Sequence, residues 1–318
     1  MSTPYPWTFQ ANRSASGINT GTTQDLLITI PQVRGSIPSF QASRLRSMMQ
    51  EAHADPSKIV AHVCSYDALS SRLCQEAGFP IVFLAGYAMS SAFGLPDAGY
   101  IAFQEVAAKI QETVRETSVP VLVDGDTGLS ACLALDCCGH TKGKAVVSRD
   151  EAYARWQAAV DARNEGTDIW ILARTDSYMH GYEEALTRAR KAIEIGVDAV
   201  FVEALPDRAA MAQMRSDLDF PMLANIIEGG KTENLSAKEL GELGFAAVAY
   251  PWTLVAAKLK SIREVLEGVK GSLLTGRPPT ILSYGEVCEG VGFNKYYELE
   301  ERYQYEGSVT GTKGYQFE

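Results

Sequence analysis

Between residues 59 and 250 the chain alternates short apolar runs with longer stretches whose apolar positions recur at helical spacing. The runs at 59–64, 81–85, 119–124, 169–173, 199–202, 222–226 and 246–250 read as buried strands, brief and bounded by turn residues. Most are separated by amphipathic helices, at 68–77, 103–116, 149–165, 182–195, 208–216 and 237–243. Gly78, Gly166, Gly196 and Gly244 close four of these helices at the C-terminal cap position before the next strand. Such a repeat implies an α/β fold with a parallel sheet and right-handed crossovers. Seven repeats over about 200 residues favour a TIM-type (β/α)8 barrel over an open sheet.

A closed barrel of this type needs eight strands, and only one helix lies between Asp124 and Ile169. Residues 129–147 are too few for a helix, a strand and their loops. Residues 131–135 serve as a stub strand, or the barrel is irregular or incomplete around the fourth strand. Outside the repeats, residues 1–42 are rich in Ser, Thr, Gly, Gln and Pro and read as a flexible N-terminal arm. The barrel is expected over 43–270, including a long helix at 254–268. A break at Gly276-Arg277-Pro278-Pro279 leads into a C-terminal helical extension, 271–305, with helical stretches around 284–288 and 293–302. An appendage of this kind often packs on a neighbouring subunit. The polar end, 306–318, is expected to be a mobile tail.

Composition narrows the class of partner. A hydrophobic share of 46% with 21% charged residues suits a globular core, and the net charge of −10 with dispersed Lys and Arg argues against nucleic acid or an anionic membrane. A small anionic substrate stays compatible, because a bound divalent cation reverses the local sign. The six cysteines match no zinc spacing, and the adjacent Cys137-Cys138 is a poor disulfide framework. The N-terminus lacks a basic and apolar leader, and no apolar run approaches membrane-spanning length, so the expected location is cytoplasmic.

The most informative stretch is Val121-Leu122-Val123-Asp124-Gly125-Asp126-Thr127-Gly128. Three apolar residues run into two carboxylates, where α/β barrels place their chemistry. Two hard oxygen ligands completed by water suit Mg²⁺ or Mn²⁺; a strand end capped by solvated turn residues is the alternative. Other polar residues gather where strands should end: Asp97, Arg174-Thr175-Asp176, Glu203, and Asn225 with Glu228. Such a ring at one end points to an active site, although Arg174 and Asp176 also suit a structural ion pair.

The run Ser65-Tyr66-Asp67-Ala68-Leu69-Ser70-Ser71-Arg72, then Gly94-Leu95-Pro96-Asp97, Asp124-Gly125-Asp126-Thr127-Gly128, Cys138-Gly139-His140, Ala173-Arg174-Thr175-Asp176 and the stretch 225–232 resemble the isocitrate lyase / phosphoenolpyruvate mutase superfamily. The resemblance spans about residues 43 to 305 and is nearest to the branch of methylisocitrate lyase, dimethylmalate lyase and oxaloacetate hydrolase. It implies a barrel with swapped C-terminal helices, in a homodimer or homotetramer. It also implies Mg²⁺, with Mn²⁺ as the alternative, held by Asp124 together with Asp97 and Asp126. The substrate it implies is a 2-oxo or 2-hydroxy di- or tricarboxylic acid, cleaved at a C–C bond through an enolate by a lyase or an oxaloacetate-type hydrolase. By the same resemblance Arg174 clamps a carboxylate in a bidentate way and Cys138 acts as an acid on a Cys-Gly-His loop. His140 joins them, and Tyr66, Ala85, Gly86, Tyr87, Gly139, Glu203, Asn225 and Glu228 line the pocket.

Three departures from the family pattern stand out. About one β-α unit, roughly two dozen residues including a glutamate of the metal shell, is missing between Gly128 and Cys138, where Asp136 is the only acid. Ala85-Gly86-Tyr87 replaces a hydroxyl residue and glycines that serve the substrate carboxylate. Asp136-Cys137 replaces a basic pair. Loss of a barrel strand exposes edges and should weaken the fold, and it weakens or removes the case for metal. Two alternatives therefore accompany the cleavage reading. One is a repurposed member that isomerises, dehydrates or cyclises a larger biosynthetic intermediate, with or without metal. The other is a non-catalytic pseudoenzyme that associates through its C-terminal helices.

Overall fold

The computed structural model describes residues 33–125, 146–227, 229–230, 232–273, 276–277, 279 and 281–304. The seven expected strands form: β1 Val60–Ser65, β2 Val82–Leu84, β3 Val121–Val123, β4 Leu172–Thr175, β5 Ala199–Val202, β6 Met222–Asn225 and β7 Ala247–Tyr250. The helices are α1 Phe40–Ala54, α2 Ala68–Glu76, α3 Gly86–Ala92, α4 Phe103–Glu116, α5 Arg149–Glu165, α6 Tyr182–Ile195, α7 Arg208–Leu218, α8 Ala237–Glu242, α9 Thr253–Ser272, α10 Tyr284–Val291 and α11 Phe293–Arg302. The stub strand expected at 131–135, the arm up to residue 32 and the tail at 306–318 lie outside the described residues.

The strands hydrogen-bond in the order β3-β2-β1-β7-β6-β5-β4. Pairing is parallel between β1 and β2, β2 and β3, β4 and β5, and β5 and β6. In a closed barrel each strand lies between its sequence neighbours, and the first strand meets the last. Here β1 meets β7, as closure requires, while β3 and β4 are the two ends of the order. Among the described residues the strands therefore form a parallel seven-stranded α/β sheet of an incomplete TIM-type barrel, whose two end strands flank residues 126–145. All four residues of β5 are buried, which fits a strand covered on both faces.

The described residues cluster into two compact units. One takes in the stretches ending at Val60, Ala224 and Ala247; the other takes in Ala61–Asp124, Asn225–Leu235 and the chain from Val248 onward. In the first unit, the segment before α1 is fastened to the residues that lead into β4. The Ile37 carbonyl accepts from Asp168 N–H at 2.8 Å, and Ile37 N–H donates to the Gly166 carbonyl at 3.1 Å. Gly35 permits this approach, since a Cβ there would stand 2.4 Å from the Asp168 nitrogen. Arg46 of α1, only 2% exposed, donates to Asp168 at 2.8 Å and to Asp198 at 2.8 Å. Asp198 also accepts from Arg163 at 3.1 Å and from Ile171 N–H at 2.9 Å. Buried charges persist when paired and hydrogen-bonded in this way.

That network corrects one strand boundary. The ladder of β4 begins at Leu172, opposite Ala199, and not at Ile169. Around Asp168 and Ile171 the backbone is already committed to Ile37 and to the Asp198 carboxylate, so regular pairing starts after them. Arg174 and Thr175 consequently belong to the strand itself. Helix α3, which directly follows β2, is an addition to the sequence-predicted elements.

In the second unit a capping box starts α2: Asp67 Oδ1 accepts from Ser70 N–H at 2.8 Å, and Ser70 Oγ accepts from Asp67 N–H. Helix α2 packs on α4. The Arg72 guanidinium donates to the Gly290 carbonyl in α10. Helices α9 to α11 leave Leu259, Ile262, Leu266, Val287, Phe293 and Tyr296 exposed.

Candidate active site

Two groups of the sequence-predicted residues form at C-terminal strand ends, one in each unit. In the second unit, Asp124 follows β3 and Gly86 follows β2. Gly86 N–H donates to Asp124 Oδ2 at 3.2 Å, so this carboxylate caps the first turn of α3. Ala85 occupies the N-cap position and supplies no side-chain cap bond, which is the structural counterpart of the missing hydroxyl. A Cβ on Gly86 would meet Asp124 Oδ2 at 3.2 Å and Asp97 Oδ1 at 3.6 Å. The glycine thus faces two carboxylates that converge on it from separate loops, and both are half-buried.

Two hard oxygens of one sign, brought together on a backbone with no side chain between them, fit a small divalent cation. Asp126, the third expected ligand, lies outside the described residues, and among these residues no group of three or more His, Cys, Asp or Glu gathers as a metal site. Behind the pair, burial pushes the Cys64 thiol well above its ordinary range, and the Asp124 charge adds to the shift. That thiol is held protonated.

Aromatic residues follow the neighbouring strand ends. Tyr87 stacks on Trp252 at 4.7 Å between centroids and 10° between planes. Tyr66, at the end of β1, carries the Lys258 ammonium 4.0 Å from its ring centroid. Burial, followed by the nearby Asp67 charge, raises the Tyr66 phenol above its ordinary value. Asn225 ends β6 half-buried. Glu228 lies outside the described residues, as do Cys138, Gly139 and His140.

In the first unit, Arg174 lies within β4 and is held from two sides. Its Nε donates to Asp176 Oδ1 at 2.7 Å and its Nη2 to Asp176 Oδ2 at 3.0 Å, a bidentate pair within the chain. Nη2 also lies 3.1 Å from Glu203 Oε2. The Phe201 ring sits 5.3 Å from the guanidinium carbon. Asp176 and Glu203 are both buried. Glu203 Oε1 accepts in turn from Ala204 N–H at 3.0 Å, anchoring a residue whose φ of 61° is unusual without glycine. Among the described residues Nη1 is left without an acceptor. It is the part of Arg174 still available to another oxygen.

Trp252 and Lys258 are not among the site residues drawn from the sequence, and Asp176 enters there only as a strand-end acid and candidate ion-pair partner of Arg174. The signal for Trp252 was its place: an aromatic two residues beyond the last strand, after Tyr250-Pro251.

The family model described as phosphoenolpyruvate phosphomutase matches residues 50–270. A probable 2-methylisocitrate lyase of Corynebacterium glutamicum is 34% identical over 245 residues, which cover 70% of this chain and 79% of that protein. The trigonal crystal structure of 2,3-dimethylmalate lyase superposes with a TM-score of 0.74 at 27% identity, covering 86% of this chain and 99% of the other. That of oxaloacetate acetylhydrolase with 3,3-difluorooxalacetate gives 0.73 at 25% identity, covering 82% and 96%. Motifs, strand order and relatives agree, and the chain belongs to the phosphoenolpyruvate mutase/isocitrate lyase superfamily.

Proposed function

We propose that this protein is a Mg²⁺-dependent enzyme that cleaves a C–C bond of a 2-oxo or 2-hydroxy carboxylic acid, as a lyase or an oxaloacetate-type hydrolase. The convergence of Asp97 and Asp124 on Gly86 carries this reading. Relatives named as lyases of methylisocitrate and dimethylmalate, and one named as a hydrolase of oxaloacetate, support the reaction class. Asp97, Asp124 and Asp126 would hold Mg²⁺, or Mn²⁺ in its place. The cation, when bound, supplies positive charge where the substrate oxygen gains negative charge as the bond breaks.

The remaining roles fall to this chain's side chains. Gly86 leaves room beside the carboxylates for a substrate oxygen. Arg174 offers Nη1 to an anionic group and keeps its orientation through Asp176 and Glu203. Cys138, with His140 and Gly139 beside it in sequence, is assigned the delivery of a proton to the carbanion face of the product. Tyr66, Tyr87, Asn225 and Glu228 complete the lining. Exposed apolar residues on α9 to α11 suit exchange of these helices in a homodimer or homotetramer. Among the described residues no helix is long and apolar enough to cross a membrane; a cytoplasmic location is part of the same proposal.

Turnover of oxaloacetate, 2,3-dimethylmalate and 2-methylisocitrate with and without Mg²⁺ tests the reading. Cleavage of one of them that stops on chelation and returns with Mg²⁺ or Mn²⁺ is expected. No turnover of any of the three, together with no heat of Mg²⁺ binding, would overturn it.

A further inference from the structure

We infer that Trp252 is a specificity-determining residue, and that with Tyr87 it selects a substrate bearing an apolar substituent. The inference rests on the proposed function and adds the chemical character of the group beside the reacting carbons. In the sheet order β1 lies between β2 and β7. Tyr87 follows β2 and Trp252 follows β7, so their rings meet across the C-terminal end of β1. Near-parallel rings 4.7 Å apart form a tight stack. Tyr87 is half-buried, whereas Trp252 retains 37% exposure, so the stack is partly open to solvent.

Its neighbours extend the apolar character. The backbone of Tyr87 adjoins Gly86, on which Asp124 and Asp97 converge, and Ala85 on the other side presents only a methyl group. Tyr66, at the end of β1, adds a third ring, and the Lys258 ammonium rests on its face. A substrate carboxylate directed at Ala85 and Tyr87 would exchange water for carbon. An alkyl or aryl group there would gain burial against two rings. Lys258 is the nearby cation that could reverse this preference, and the test includes it.

Three Mg²⁺-chelating probes with one headgroup decide the matter: oxamate, N-butyl oxamate and N-(2-carboxyethyl) oxamate, titrated calorimetrically with Mg²⁺ present. Wild-type protein should bind N-butyl oxamate about tenfold more tightly than oxamate, as expected for a few buried methylenes. Trp252→Ala should erase most of that ratio while leaving the affinity for oxamate itself within about twofold. Trp252→Phe, which can still stack, should restore it. A general packing defect would instead weaken all three probes together, and that result counts against the inference. An unchanged ratio in Trp252→Ala overturns it, as does tightest binding of the carboxyethyl probe, which would give the position to Lys258. If Mg²⁺ and oxamate fail to bind at all, the proposed function falls first and this inference with it.

Discussion

The two strand-end groups treat charge in opposite ways. Beside β2 and β3, Asp97 and Asp124 face one glycine, and Asp124 accepts from a backbone N–H of α3. Beside β4 and β5, Arg174 is wrapped by Asp176 and Glu203, with an aromatic ring against it. The first group brings two like charges to one glycine and, on the proposed function, takes its cation from outside. The second carries its counter-ions within the chain and is rigid before any ligand arrives. A bidentate grip by Arg174 on a substrate carboxylate would have to displace Glu203 or Asp176; a single contact through Nη1 displaces neither. One group is made to be completed, the other only to be met.

Substitutions can break this contrast, and the largest effect is expected at Asp124. Asp124→Ala should lower kcat by about 10³-fold or more and abolish the heat of Mg²⁺ binding. The lost cap on α3 should contribute about 1 kcal/mol to the cost in stability. Asp124→Asn, which keeps an acceptor for Gly86 N–H, should recover the melting temperature but not the metal. Full activity in Asp124→Ala would remove the distinction between the two groups. On the arginine side the order of effects reverses. Asp176→Ala should cost about 3–5 kcal/mol in urea unfolding, because a nearly buried guanidinium loses its bidentate partner. A loss below about 1 kcal/mol would mean that Arg174 is not held as the geometry implies.

Glu203→Gln should act more gently, since the amide oxygen can still accept from Ala204 N–H. A rise in KM of about tenfold, with kcat changed less, is expected if the freed Nη2 loosens the orientation of Nη1. The smallest effect sharpens the contrast at a distance from the chemistry. Glu184 is held down to about 2, chiefly by the hydrogen bond from Arg149 and then by Arg188, against an ordinary 4.5. Its contribution to stability is therefore complete above pH 4.5 and is lost as pH falls from there toward 2. Glu184→Gln should flatten that acid limb in a pH series of melting temperatures and leave the neutral-pH slope unchanged.

Much of the frame was legible because strands and helices are local. The apolar runs and the glycines after helices locate all seven strands, and the shortage of residues between Asp124 and Ile169 marks where the sheet order ends. Helix α3 escaped because Gly-Tyr-Ala-Met-Ser-Ser-Ala has no polar face to give it a period. The start of β4 lies later than the apolar run suggests because Asp168 N–H is taken by Ile37, 131 positions earlier, and Ile171 N–H by the Asp198 carboxylate. No local pattern records such a partner. The same limit hid the site's neighbours: Asp97 and Asp124 stand out as acids at strand ends, but the stacking of Trp252 on Tyr87 follows from strand order alone. That Arg174 is already occupied was visible as an alternative in the adjacent Asp176, and Glu203 completes it only in three dimensions.

The buried guanidinium of Arg46 also constrains how the chain is made. It leaves the ribosome 122 residues ahead of Asp168 and 152 ahead of Asp198. At ordinary translation speeds, about 5–20 residues per second, α1 waits about 6 to 30 s for the carboxylates that will bury its cation. Until then the helix keeps that charge in water. Burial of that charge beside Asp168 and Asp198 therefore belongs to a later stage of synthesis than the helix that carries it.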